Sequence, residues 1–216
     1  MAAENQKANT CLYFGTFNPI HAGHLMIAQA ALRQYGPVLG FQTVSFIPAG
    51  QPPHRHHEND LLDAHRRLRM VRLATAEHPD FRVLDVEVNR PGQSFTIDTV
   101  NHLINQGVVS EPVPFIIGTD ALRGLTTWHK AKSLVEKALF LQAPRPHCEP
   151  VRALSFEGPD QDLLSLNTSM IDMPMLAISS TWIRQILKEK RDQQEALRYF
   201  LPEPVRRFIE DNGLYL

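Results

Sequence analysis

The feature that most constrains the fold is a stretch near the start of the chain, Gly15-Thr16-Phe17-Asn18-Pro19-Ile20-His21-Ala22-Gly23-His24. An apolar run, Thr10-Cys11-Leu12-Tyr13-Phe14, leads into it, and an amphipathic run from Leu25 to Gln34 leads out. The order predicts strand, tight loop and helix, the setting in which a glycine-bearing loop and a helix N-terminus hold a phosphate. Gly15 lets backbone approach a ligand closely, and Pro19 stiffens the turn. His21 and His24 stand three residues apart at the helix start, so both rings face one side. Two imidazoles beside free backbone N–H groups make a polyphosphate cradle, provided that the loop lies at a sheet's carboxyl edge.

The rest of the chain alternates strands and helices. The first helix is expected to stop near Tyr35-Gly36-Pro37. Thr43-Val44-Ser45-Phe46-Ile47, halted by Pro48, reads as a second strand, and residues 61–76 carry apolar positions at helical spacing. A third strand is expected over 81–88, then a helix over 96–105, capped by Ser94 or Thr96 and stopped by Gly107. Val113-Pro114-Phe115-Ile116-Ile117 is apolar on consecutive residues, the pattern of a strand buried on both faces. A helix then passes into a strand at Ala138-Leu139-Phe140-Leu141. Residues 144–169, rich in Pro, Asp, Glu and Ser, read as loop, and 170–175 as a last strand. A helix capped by Ser180 runs to about residue 190, and Pro204 opens a final helix ending at Asn212-Gly213. With no internal repeat or linker, the expectation is one doubly wound, Rossmann-like α/β domain with a mainly parallel sheet over 10–216, preceded by a flexible tail over 1–9.

Composition narrows the partners. A chain of 216 residues with 43% hydrophobic and 21% charged residues suits one soluble domain. A net charge of −1 offers no reason to expect nucleic acid or an anionic membrane as partner, so any phosphate site must be made locally. Two cysteines, Cys11 and Cys148, do not make a disulfide scaffold, and a reducing cytoplasm is the simplest compartment. No apolar run reaches the roughly 18 residues of a spanning helix. A homo-oligomer is compatible with this composition and is not encoded in any readable pattern.

A second constellation is Ile178-Ser179-Ser180-Thr181-Trp182-Ile183-Arg184. Helix start, hydroxyls and a guanidinium fork favour an anion with several oxygens. Together the two motifs resemble the paired signatures of the nucleotidyltransferase superfamily of adenylyl- and cytidylyltransferases, with Phe14 where the usual form often has another glycine. The resemblance implies that His21, His24 and Arg184 serve catalysis on the ATP phosphates. It implies further that Gly15, Thr16, Phe17, Gly23, Ser179 and Ser180 bind ATP. Mg²⁺ is then expected with ATP, held mainly by phosphate oxygens and water, with no metal ligands from the chain.

The middle of the chain is similar to the bacterial nicotinate mononucleotide adenylyltransferases. Pro48 to Arg55 resembles their acceptor loop, which implies that His54 and Arg55 meet the mononucleotide phosphate; Ala49-Gly50-Gln51 stand where many members have asparagine. Ser94-Phe95-Thr96 implies backbone contacts from Thr96 to the pyridine carboxyl group. Ile116-Ile117-Gly118-Thr119-Asp120 implies adenosine contacts from Gly118 and Asp120, and Thr127-Trp128-His129 an aromatic face from Trp128. The implied reaction is adenylyl transfer from ATP to nicotinate mononucleotide. Alternatives at this point are transfer to nicotinamide mononucleotide or another phosphate acceptor, and a non-catalytic nucleotide-binding regulator. A zinc site at His54, His56 and His57 is the weakest reading, because these spacings lack a second ligand group.

Overall fold

The computed structural model describes residues 10–53, 60–146, 148–156, 163–175, 177–189 and 195–215. The strands are β1 (Thr10–Gly15), β2 (Thr43–Pro48), β3 (Phe81–Val83), β4 (Val113–Gly118), β5 (Ala138–Ala143), β6 (Ala153–Ser155), β7 (Leu163–Ser165) and β8 (Thr168–Met170). Six of them form one sheet in the order β3-β2-β1-β4-β5-β8, every neighbouring pair parallel. β6 and β7 make a small antiparallel ribbon beside it. The helices are α1 (Ala22–Leu39), α2 (Ala64–Thr75), α3 (Thr96–Asn105), α4 (Thr119–Arg123), α5 (Ala131–Lys137), α6 (Ser180–Glu189) and α7 (Glu203–Asp211). The expected tail, 1–9, lies outside the described residues. No described helix is long and apolar enough to cross a membrane.

Strand alternation divides the apolar runs between two cores. Cys11, Tyr13 and Ile116 face one, with Ile27, Met70, Ile183 and Val205 from α1, α2, α6 and α7. Leu12, Phe115 and Ile117 face the other, with Val100, Leu122 and Leu134 from α3, α4 and α5. Both faces of β1 and β4 are thus covered, as their continuous apolar runs predict. From β1 the chain proceeds to β2 on one side, then returns to β4 on the other. The carboxyl ends of β1 and β4 flank this switch point, where open α/β sheets bind ligands.

Several boundaries differ from the sequence expectation. Helix α1 continues through Pro37 to Leu39 and ends on Gly40, whose N–H donates to Gly36 O at 2.9 Å. Tertiary contacts override the breaker: the Tyr35 hydroxyl donates to Met170 O at 2.5 Å, and Gly36 is buried against Phe41. The strand expected over 81–88 stops at Val83, because this edge strand pairs only with Val44–Phe46 of β2 before turning away. Residues 144–169 contain β6, β7 and the start of β8, and the last strand is 168–170 rather than 170–175. Polar side chains select that register: Thr168 donates to Phe140 O at 3.1 Å and accepts from Gln142 Nε2 at 2.7 Å.

The substitution Gly36→Ala sets two effects against each other. Helix propensity favours alanine by about 1 kcal/mol. The new methyl group, however, would lie 2.8 Å from the Phe41 carbonyl oxygen, an atom of the backbone. Overpacking of this kind costs about 1–3 kcal/mol, so we expect a net loss of stability, read as a lower urea midpoint with an unchanged slope.

Candidate active site

Two cavities open at the carboxyl edge of the sheet and share one lining residue, Thr16. The first, about 500 Å³, is lined by the β1–α1 loop, His21, His24, Asp120 and Arg145, and by Ile178 to Thr181. The second, about 490 Å³, is lined among others by Phe14, Gly15, Pro52, Glu87, Phe95, Thr96 and Trp128. The two cavities adjoin at Thr16.

In the first cavity the β1–α1 loop is tightly folded. Phe17 has a positive φ of 49°, an uncommon conformation for a bulky residue. This turns its ring back over Gly15, where a β-carbon would sit only 2.7 Å from the ring, and against His24 at 5.1 Å between centroids. His21 is the N-cap of α1, and its N–H donates to His24 Nδ1 at 3.2 Å. The two imidazoles stack 3.7 Å apart, so they share one side as their spacing predicts. His21 Nδ1 is buried and has no hydrogen-bond partner among the described residues, and the same holds for Arg145 Nε. Burial, with Arg145 adding to it, pushes the His21 pKa down to about 3. Burial, His21 and Arg145 together hold His24 well below its usual range. Both rings are therefore neutral near pH 7, beside a guanidinium, in a space suited to an anion.

Ser179 rather than Ser180 caps α6, its Oγ accepting from Trp182 N at 3.1 Å. The Ser180 hydroxyl donates instead to Pro19 O at 2.8 Å and ties α6 to the β1–α1 loop. Arg184 does not line either cavity. It is buried, with Nη1 donating to Asn18 O and Nε to Asp60 Oδ2, each at 2.9 Å. The Asp60 carboxyl is held below the usual carboxylate range mainly by its hydrogen bond from Arg184, and Lys188 contributes at 3.1 Å. Asn18 completes this bracing: its amide donates to Asp60 O, and its Oδ1 accepts from Leu62 N and from the Tyr215 hydroxyl.

The second cavity is shaped by backbone. Gly50 N and Gln51 N both donate to Ser94 Oγ, at 3.0 and 3.1 Å. Ser94 is thus occupied elsewhere and does not cap α3, whose N-cap is Phe95 without a side-chain bond. Near Ser94 lies Glu87, a buried carboxyl that accepts from the Thr99 hydroxyl at 2.8 Å. Burial raises the Glu87 pKa, and the Thr99 hydrogen bond opposes the rise. A β-carbon at Gly50 would lie 2.2 Å from Glu87 O, so no asparagine fits there. Arg67, fully buried on α2, ties the two cavities together: it donates to Thr16 O and Gly50 O at 2.8 Å and to Leu62 O at 2.9 Å.

Of the residues singled out by sequence, Thr16, Phe17, His21, His24, Asp120, Ser179 and Ser180 line the first cavity. Gly15, Thr96 and Trp128 line the second. Gly23 and Gly118 lie just behind the walls, Gly118 next to Asp120 and Arg145, and Gly23 next to His21. His54 and Arg55 lie outside the described residues, as do His56 and His57. Sequence reasoning missed Arg145, Glu87 and Arg67, and it gave Ser94 as a helix cap rather than as the acceptor for Gly50 N and Gln51 N. Arg145 had one usable signal, its place just after the carboxyl end of β5. No cluster of three metal-ligating side chains occurs among the described residues.

Neutral, buried histidines make anion binding proton-linked. A polyphosphate brought against His21 raises a pKa that is about 3 in the free protein, so binding takes up protons and tightens on acidification. Calorimetry with inorganic tripolyphosphate near pH 6, in buffers of different ionisation enthalpy, should report net proton uptake if a ring becomes charged on binding; binding with no uptake would mean that the rings meet the anion as neutral N–H donors. By the same shift, folding stability falls as pH drops from 6.5 towards about 3, since the unfolded chain takes up the proton first.

Comparison with known proteins agrees with this geometry. The model of a cytidylyltransferase-like family matches residues 12–186. The nicotinate-nucleotide adenylyltransferase of Bacillus subtilis (strain 168) is 34% identical over 206 residues, 94% of this chain and 96% of that protein. A protein of Desulfitobacterium hafniense (strain Y51), named probable nicotinate-nucleotide adenylyltransferase, is 37% identical over 201 residues, covering 93% of this chain and 92% of its own. The fold is also that of Plasmodium falciparum nicotinic acid mononucleotide adenylyltransferase complexed with NaAD, with a TM-score of 0.69 at 18% identity over 96% of this chain and 97% of that one. A switch-point site with stacked histidines, matched along nearly its whole length by such relatives, makes this chain a member of the cytidylyltransferase-like family, among the nicotinate-nucleotide adenylyltransferases.

Proposed function

We propose that the protein transfers the adenylyl group of ATP to nicotinate mononucleotide, giving nicotinate adenine dinucleotide and pyrophosphate, as a cytoplasmic step of NAD biosynthesis. The observation that carries this reading is the pair of cavities meeting at Thr16, one with an anion cradle and one with an aromatic wall. ATP occupies the first, with its phosphates toward His21 and His24 and its adenosine toward Gly118 and Asp120. The mononucleotide occupies the second, with its ring beside Trp128 and Thr96 and its phosphate directed to Thr16, served also by His54 and Arg55.

In the reaction a phosphate oxygen of the mononucleotide attacks the α-phosphorus of ATP in line. One P–O bond forms, and the bond to the β-phosphate oxygen breaks. A phosphate monoester is largely ionised near neutral pH, with its second pKa at about 6, so no general base is needed. Two histidines kept neutral by burial fit that requirement, because they offer ring N–H groups without competing for a proton. Catalysis then consists of alignment and charge neutralisation. Ser179, Ser180 and Arg145 face the departing pyrophosphate, and Arg184 works from behind the loop by holding Asn18 and Asp60. Mg²⁺ suits this cavity as a passenger on the phosphates, since Asp120 is the one carboxylate among its described lining residues. When bound, the ion neutralises phosphate charge.

The direct test is pyrophosphate release from ATP with nicotinate mononucleotide, compared with nicotinamide mononucleotide. Turnover with nicotinate mononucleotide is expected to dominate, and absence of turnover with either would leave a binding protein only. His24→Ala should lower kcat by about two to three powers of ten with the fold intact, as for loss of a preorganised donor; near-normal turnover would remove its assigned role. Trp128→Ala should raise the mononucleotide KM by about tenfold while leaving the ATP KM unchanged, the size expected from losing one ring contact.

A further inference from the structure

Phe14 stands one residue before the phosphate loop, and strand alternation sends its side chain to the face opposite Tyr13. One side of its ring lies on Phe115, with centroids 5.0 Å apart and planes 15° from parallel. Phe115 is itself buried against Phe140 at 5.6 Å. The Phe14 ring is half-buried and lines the 490 Å³ cavity together with Phe95 and Trp128. The position is often glycine in the signature that this loop resembles, and glycine presents nothing to the cavity. Here a large side chain, already immobilised by its neighbours, forms part of the wall before any ligand arrives, so its ordering opposes binding little.

The chemistry of such a wall is selective. Aliphatic side chains would accept any flat apolar ring, whereas the face of an aromatic ring carries negative potential and attracts a cation. We infer that Phe14 is a specificity-determining residue of the acceptor cavity, a fixed π surface that selects an N-glycosylated pyridinium, a base that is flat and positively charged. This rests on the function proposed above and extends it to a residue at which this chain departs from the usual signature.

Steady-state kinetics of the full chain with ATP and nicotinate mononucleotide test it through Phe14→Leu, which keeps the apolar volume but removes the π face, and Phe14→Tyr, which keeps both. Phe14→Leu should raise the mononucleotide KM roughly three- to tenfold, with kcat and the ATP KM within about twofold of the parent. Phe14→Tyr should retain the parent mononucleotide KM. A parent enzyme that turns over nicotinate mononucleotide, with a Phe14→Leu variant of equal KM, would overturn the inference and leave the function standing. Equal losses for both substrates would also overturn it, since they would mark a general disturbance of β1. A parent enzyme inactive on this mononucleotide would overturn the functional reading itself, and the inference with it.

Discussion

The site depends on one buried guanidinium. Arg67 is fully enclosed on α2 and gives its donors to three carbonyl groups, Thr16 O, Gly50 O and Leu62 O. Those carbonyls belong to the β1–α1 loop, the loop after β2 and the approach to α2. Burial lowers its pKa only to about 10, so the group stays charged at neutral pH. A planar fork with fixed donor directions can hold three peptide groups at set angles, which a lysine cannot. Because Thr16 borders both cavities, Arg67 sets the distance between them without lining either.

A second guanidinium closes the same frame from the other side. Arg184 holds Asn18 O and Asp60, Asn18 in turn holds the backbone at Asp60 and Leu62, and the Tyr215 hydroxyl reaches Asn18 from near the end of the chain. These bonds are made to charged donors or inside a shielded interior, where each contributes more than a surface contact would. They support a loop that is otherwise unfavourable, with a bulky residue at positive φ and a buried histidine, His21. Conformational and desolvation free energy concentrated in this way marks a site held ready for a ligand.

Most of the fold was legible because its signals are local. The two-sided apolar runs of β1 and β4, the turn chemistry between elements and the order of strand and helix all follow from neighbouring residues. What misled was non-local. Pro37 reads as a stop, yet Tyr35 and Gly36 find partners on β8 and at Phe41 that carry the helix onward. Thr168-Ser169-Met170 carries no apolar pattern and becomes a strand only because Phe140 and Gln142 offer it a ladder. Ser94 and Ser180 have the chemistry of helix caps but are claimed by the Gly50 and Gln51 amides and by Pro19 O.

For the site the same division holds. The sequence by itself determined the tight loop between β1 and α1, the histidine pair and the second hydroxyl-rich helix start, since each is a short motif whose geometry follows from spacing along one element. It also determined the strand–helix order that brings these motifs to one sheet edge. Only the tertiary structure decided that His21 and His24 are neutral, because their protonation depends on burial and on Arg145, which lies far away in the chain. Only the tertiary structure turned Arg184 inward to Asp60, joined Ser94 to Gly50, and set Phe14 on Phe115 in a cavity wall. Charge states, buried polar networks and cavity shape are properties of groups distant in sequence, and no periodicity along the chain records which of them will meet.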